Sequence, residues 1–126
     1  MDKTIIALGL MSGTSMDGID ASLIKSDGEG YIDLIGNLYL KYDLELKNSL
    51  HNFCNKINSL KNIKENETEY ESLERKITIE HSRIALKLSN KFNIKPNIIG
   101  FHGQTILHKP SEKYSIQMGN AKLLSQ

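Results

Sequence analysis

Three apolar runs fill the first 41 residues, and the turns between them are too short to carry the chain across to a parallel neighbour. Thr4–Met11 is rich in isoleucine and leucine, and Ile19–Lys25 sets Ile19, Ala21 and Leu23 on one parity. In the third run Ile32, Leu34, Gly36, Leu38 and Leu40 alternate with Tyr31, Asp33, Asn37, Tyr39 and Lys41. Alternation at period two is the signature of a strand with one face buried and one wet. Parallel neighbours need a crossover of about a dozen residues or more, so consecutive strands joined this tightly are expected to form an antiparallel three-stranded meander.

The period then changes. Asp43 is placed to cap a helix on which Leu46, Leu50, Phe53 and Ile57 recur at helical spacing, its carboxylate suiting the positive end of the dipole. The Asn- and Lys-rich stretch Asn55–Asn66 reads as a surface loop. A longer helix follows, with Tyr70, Leu73, Ile77, His81, Ile84, Leu88 and Phe92 on one stripe and Asn93 and Pro96 as stop signals. Asn97–Phe101 and Thr105–His108 return the chain to sheet, separated by His102-Gly103-Gln104. Ser115–Met118 reads as one more strand, and Asn120 as the cap of a helix beginning at Ala121. The alternation of both element types in one length of 126 residues predicts a single α/β domain over 1–126.

Charge says little about partners, since sixteen basic and fifteen acidic residues leave a net charge near +1 and no field to draw a nucleic acid or an anionic membrane. No apolar run approaches the roughly 18 residues needed to span a bilayer, and the start of the chain does not read as a secretory signal, so a cytoplasmic protein is expected. The lone Cys54 has no disulfide partner and reads as a buried structural thiol. Zinc is not expected, because no Cys/His cluster has metal spacing.

The chemistry concentrates between the first two strands, in Gly9-Leu10-Met11-Ser12-Gly13-Thr14-Ser15-Met16-Asp17-Gly18-Ile19-Asp20. Glycines let bare backbone approach a ligand, and successive amides can converge on an anion. Thr14 and Ser15 add hydroxyls, and Asp17 or Asp20 could hold Mg2+ through its waters. Neither G-x-x-x-x-G-K-[ST] nor G-x-G-x-x-G opening a helix is present, which leaves a hairpin-type phosphate loop or a plain Asp-Gly turn. A hydrolase reading, with Ser12 or Ser15 as nucleophile and His102 as base, fails on spacing. The run from Gly13 to Gly18 has one residue too many for a G-x-S-x-G elbow, and that elbow leads into a helix.

The stretch G-L-M-S-G-T-S-M-D-G-I-D resembles the signature of the anhydro-N-acetylmuramic acid kinases, and Ile99–His108, I-G-F-H-G-Q-T-I-L-H, resembles their second motif. Ser115–Asn120 is similar to the segment that follows, where an aspartate commonly stands in place of Asn120. The resemblance covers the chain in order, through Lys41–Ser89 by helix pattern more than by residues. It implies a ribonuclease-H-like domain of the actin, sugar kinase and Hsp70 type, with ATP and sugar meeting in a cleft between two domains. It implies ATP-dependent conversion of 1,6-anhydro-N-acetylmuramic acid to N-acetylmuramic acid 6-phosphate in peptidoglycan recycling, with Mg2+. On that resemblance the ATP-binding loop comprises Gly13, Thr14, Ser15, Met16, Asp17, Gly18, Ile19 and Asp20, with Asp17 and Asp20 nearest the metal. His102 and Gln104 would line the sugar side, and the general base would come from a later motif beyond Gln126. The chain is thus expected to be a truncated N-terminal part, inactive alone, which self-associates or complements a C-terminal fragment, or a remnant that at most binds nucleotide.

Overall fold

The computed structural model describes residues 4–13, 15–109 and 114–125. The elements run β1 (Ile5–Ser12), β2 (Gly18–Ser26), β3 (Ile32–Lys41), α1 (Leu44–Lys56), α2 (Leu60–Glu65), α3 (Glu67–Phe92), β4 (Ile98–Lys109), β5 (Tyr114–Met118) and α4 (Ala121–Leu124). They form an α/β fold on one mixed five-stranded sheet of order β3-β2-β1-β4-β5. β1 pairs antiparallel with β2, and β2 with β3, as the short turns require. The long α1–α3 excursion lets β4 enter parallel to β1, and β5 then returns antiparallel to β4.

One face of the sheet is apolar and covered. Leu8, Leu10, Ile19, Ala21 and Leu23 point inward and join Leu46, Leu50 and Phe53 of α1 and Leu73, Ile77, Ile84 and Leu88 of α3 in a single core. Burial of each such side chain is worth about 1.5–3 kcal/mol, so this layer carries most of the stability. The opposite face bears Gly9, Met11 and Asp20, and all three are exposed.

The local stop and start signals act as expected at two helices. The Asp43 carboxylate accepts the Leu46 N–H at 2.7 Å and opens α1. At the end of α3, Asn93 adopts φ 52°, and the Ile94 N–H reaches back to the Ser89 carbonyl at 3.0 Å. This left-handed cap turns the chain out of the helix before Pro96.

Two expectations fail. Asn55–Asn66 is not all loop, because Ser59 caps the Asn62 N–H and α2 forms to bury Ile63 against the core. Local Asn/Lys composition is outweighed by one cap and one buried side chain. In β3 the alternation breaks: Leu23 faces Gly36 while Ile24 faces Leu34, leaving Ile35 as an extra residue. A bulge of this kind swaps the faces of everything before it. Leu38 and Leu40 therefore lean toward the core, whereas Ile32 and Leu34 are 71% and 58% exposed.

Candidate functional site

β1 delivers Ser12 and Gly13 to the rim of the sheet, where β2 begins at Gly18 and β4 passes alongside with Gln104 opposite Ser12. The intervening turn closes with the Met16 N–H donating to the Gly13 carbonyl at 3.2 Å. Met16 sits at φ 58°, a left-handed conformation that costs an L side chain about 1–2 kcal/mol. It is held there from beneath. The Met16 side chain packs on the core, and its Sδ accepts the Cys54 thiol at 3.7 Å. Burial pushes that thiol up to about 11, so Cys54 remains a packing thiol, as the sequence suggested.

The predicted loop residues divide by position. Gly13 and Ser15 are exposed at the turn, and Thr14 lies outside the described residues. Asp17 pairs with Lys47 of α1 at 2.6 Å, its side chain 47% exposed, and its backbone carbonyl accepts the Tyr42 N–H at 2.9 Å. The Lys47 ammonium, helped by the Ser15 hydroxyl, holds the Asp17 carboxyl below the usual carboxylate range, so it is ionised at neutral pH. Gly18 and Ile19 are buried in β2, where Ile19 is a core side chain and Gly18 lies tight beneath β3. These two offer the loop only their backbone. Asp20 projects from the outer face of β2. Among the described residues no three acidic, histidine or cysteine side chains gather around one point.

His102 and Gln104, read from the sequence as partners on one surface, lie on opposite faces of β4. Gly103 takes φ 81° and shifts the register between Leu10 and Ser12, so one residue more than simple alternation separates Phe101 from Gln104 on the inner face. His102 is exposed on the outer face. There it lines, with Met11, Asp20 and Ser22, a hollow of about 520 Å³ floored by the paired Gly9 and Gly100.

Gln104 instead is fully buried behind the loop. Its Nε2 donates to the Gly13 carbonyl at 2.7 Å and to the Thr105 carbonyl at 3.1 Å, and its Oε1 accepts the Tyr42 hydroxyl at 3.1 Å. The Tyr42 Oη lies 3.1 Å from Ser12 Oγ, which lies 3.0 Å from His81 Nε2. His81 Nδ1 is 2.7 Å from the Ile77 carbonyl. Burial drives the His81 imidazole below its ordinary value, against the opposing pull of the Ile77 carbonyl and Glu80. Burial likewise pushes the Tyr42 phenol up to about 12. The Ser12–His81 pair has the spacing of a nucleophile and its base, yet Ser12 is 2% and His81 0% exposed, so no substrate reaches it.

Sequence reasoning placed His81 on the apolar stripe of α3 and Ser12 in the glycine stretch without joining them. Their 69-residue separation carries no local sign of the contact. A polar residue interrupting an otherwise apolar helical stripe was the available signal, since such a group must find a buried partner.

A family model described as anhydro-N-acetylmuramic acid kinase matches residues 5–126. Curated relatives with that same description include a protein of Pelagibacter ubique, 46% identical over 99% of this chain and 33% of its own length. One of Rhizobium etli is 37% identical over 100% of this chain and 35% of its own length, and one of Gluconobacter oxydans is 39% identical over 94% and 32%. The chain therefore spans about a third of the length of the curated relatives it matches.

Proposed function

Because this chain belongs to the anhydro-N-acetylmuramic acid kinase family, we propose that its Gly13–Asp20 turn grips the phosphates of ATP. On this reading it forms part of an enzyme converting 1,6-anhydro-N-acetylmuramic acid to N-acetylmuramic acid 6-phosphate, a cytoplasmic step of peptidoglycan recycling. The single observation that carries the reading is the turn after Ser12. It is exposed at Gly13 and Ser15, anchored beneath by Met16, and fixed from behind by Gln104. Phosphoryl transfer depends mostly on positioning and charge neutralisation, and a turn of small residues anchored at Gly13 and Met16 suits the first of these.

Asp17 and Asp20, on either side of the buried Gly18 and Ile19, offer oxygen donors of the kind a hydrated Mg2+ takes. Such an ion takes oxygen ligands and keeps several waters, so one or two carboxylates suffice. Asp17 and Asp20 would supply them, and the ion would neutralise charge on the phosphates. Lys47, already at Asp17, adds a cation beside the turn. On the outer face, His102 and Asp20 line the hollow best placed to receive the sugar. Gln104, being sealed in the core, acts on the loop instead of on the sugar. The general base that activates the attacking water belongs, on this reading, to the part of the family's length that this chain does not span.

The wider architecture proposed is a ribonuclease-H-like domain over 1–126, facing a second domain across the ATP cleft. A mixed sheet of order β3-β2-β1-β4-β5, with a phosphate turn between its first two strands, supports it. Calorimetric titration with Mg-ATP tests the loop. Binding that weakens when Ser15 is replaced by Leu is expected, and no heat at millimolar nucleotide would refute the assignment. ADP release in the presence of the anhydro sugar tests catalysis. None is expected from this chain alone, and turnover on adding the remaining segment of a relative would support the complementing-fragment reading over that of a nucleotide-binding remnant.

A further inference from the structure

We propose that Gln104 is a positioning residue for nucleotide binding, setting the Gly13 carbonyl and hence the turn, with the Tyr42 hydroxyl holding Gln104 in its working orientation and the Ser12–His81 pair packed behind that hydroxyl. The inference rests on the phosphate-loop reading above and deepens it. Side chains from β1, the entry to α1, α3 and β4 gather behind one loop oxygen: Tyr42 donates to Gln104 and Gln104 to the Gly13 carbonyl, while Ser12 donates to His81 and meets Tyr42 oxygen to oxygen at 3.1 Å with no proton between them. The Gly13 oxygen is also the acceptor that closes the turn through the Met16 N–H. Both of its lone pairs are thereby committed, one to the strained turn and one to Gln104.

The orientation of Gln104 follows from chemistry. Two carbonyl oxygens, of Gly13 and Thr105, can only accept, so the amide nitrogen must face them and Oε1 must face Tyr42. A flipped amide would set oxygen against oxygen at 2.7 Å. Tyr42 then spends its one proton on Oε1. At the far end the Ile77 carbonyl likewise requires a proton on His81 Nδ1. In the neutral imidazole Nε2 is therefore an acceptor, and Ser12 donates to it. Among the described residues no buried side-chain nitrogen or oxygen is left without a partner. Replacing a buried polar cluster by well-packed apolar groups is often neutral or stabilising, so a cluster of this kind is suited to fixing geometry. Here the geometry it fixes is that of the loop root.

The test uses the 126-residue chain and Gln104→Glu, with Mg-ATP affinity by calorimetry from pH 5 to 8 and the Met16 amide resonance followed in parallel. The substituted side chain can still donate to the Gly13 carbonyl while its carboxyl is protonated, whereas the ionised carboxylate repels that oxygen. The variant's affinity relative to wild type should therefore fall about five- to 150-fold across this range, since an unmade buried hydrogen bond costs about 1–3 kcal/mol. The Met16 amide should titrate with the same midpoint in the variant alone. His81, Tyr42, Tyr39 and Glu80 are common to both proteins, so the wild-type pH profile serves as the baseline for them.

Should Gln104→Glu fail to fold, Tyr42→Phe keeps the amide donors and removes only the proton holding Oε1. It should weaken Mg-ATP two- to fivefold, without the pH slope, while the chain stays folded at the assay temperature. A wild type that binds, with variants whose affinity and Met16 resonance match it, overturns this inference alone. A wild type that binds no nucleotide overturns the phosphate-loop reading and this inference with it.

Discussion

Replacing Gly18 by alanine should destabilise the protein because β2 starts directly under β3. A Cβ built at Gly18 lies 2.7 Å from the Tyr39 hydroxyl and closer still to the Leu40 carbonyl oxygen. The tyrosine can swing away, but the carbonyl is backbone in a paired strand and cannot yield without parting β2 from β3. Overpacking of this kind costs about 1–3 kcal/mol. At about 2.1 cal/mol/K per residue, a chain of 126 residues has an unfolding entropy near 0.26 kcal/mol/K, so Tm should fall by about 4–11 °C. The displaced residue is next to Asp17, whose carbonyl holds the Tyr42 N–H, so the loop should loosen as well. Gly9→Ala is the control, since its Cβ meets nothing within 4 Å and should change stability by about 0.5 kcal/mol or less. Thermal melts by circular dichroism, with urea titrations to check that the slope m is unchanged, measure both. If Gly18→Ala melts within roughly 2 °C of Gly9→Ala, the close approach of β2 and β3 is wrong.

Gly103→Ala should cost at least about 1–2 kcal/mol in urea titration, because the residue holds φ 81° and its Cβ would lie 2.7 Å from the Met118 carbonyl. A double-mutant cycle on Ser12→Ala and Tyr42→Phe should give a coupling smaller than that of Tyr42 with Gln104. With His81 neutral, both hydroxyl protons are directed elsewhere, and the 3.1 Å Ser12–Tyr42 contact has none of its own. An equal or larger coupling would place a proton between them. For His81, burial depresses the folded-state value below the ordinary 6.5, so as pH falls the unfolded chain takes the proton first. Its contribution to stability should be complete above about pH 6.5 and lost as pH drops through the folded value. The urea midpoint should therefore fall between pH 8 and pH 5 more steeply in wild type than in His81→Gln, and equal slopes would refute the assignment.

Much of the frame was legible along the chain because its causes are local. Turns of a few residues force β1, β2 and β3 to be antiparallel, the Asp43 carboxylate marks the start of α1, and the 3.6-residue recurrence from Tyr70 to Phe92 marks α3. The glycine and hydroxyl stretch announced itself by composition. What tertiary structure decided is which way side chains point where the period is interrupted, and which distant residues meet. A single extra residue at Ile35 turns Ile32 and Leu34 outward, and the left-handed Gly103 sends His102 to solvent and Gln104 to the core. Periodicity cannot foresee either, since inserting one residue inverts parity without altering local composition. The pairing of Ser12 with His81 is of the same kind. A buried polar group requires a partner, but only packing α3 across the sheet determines which one it finds.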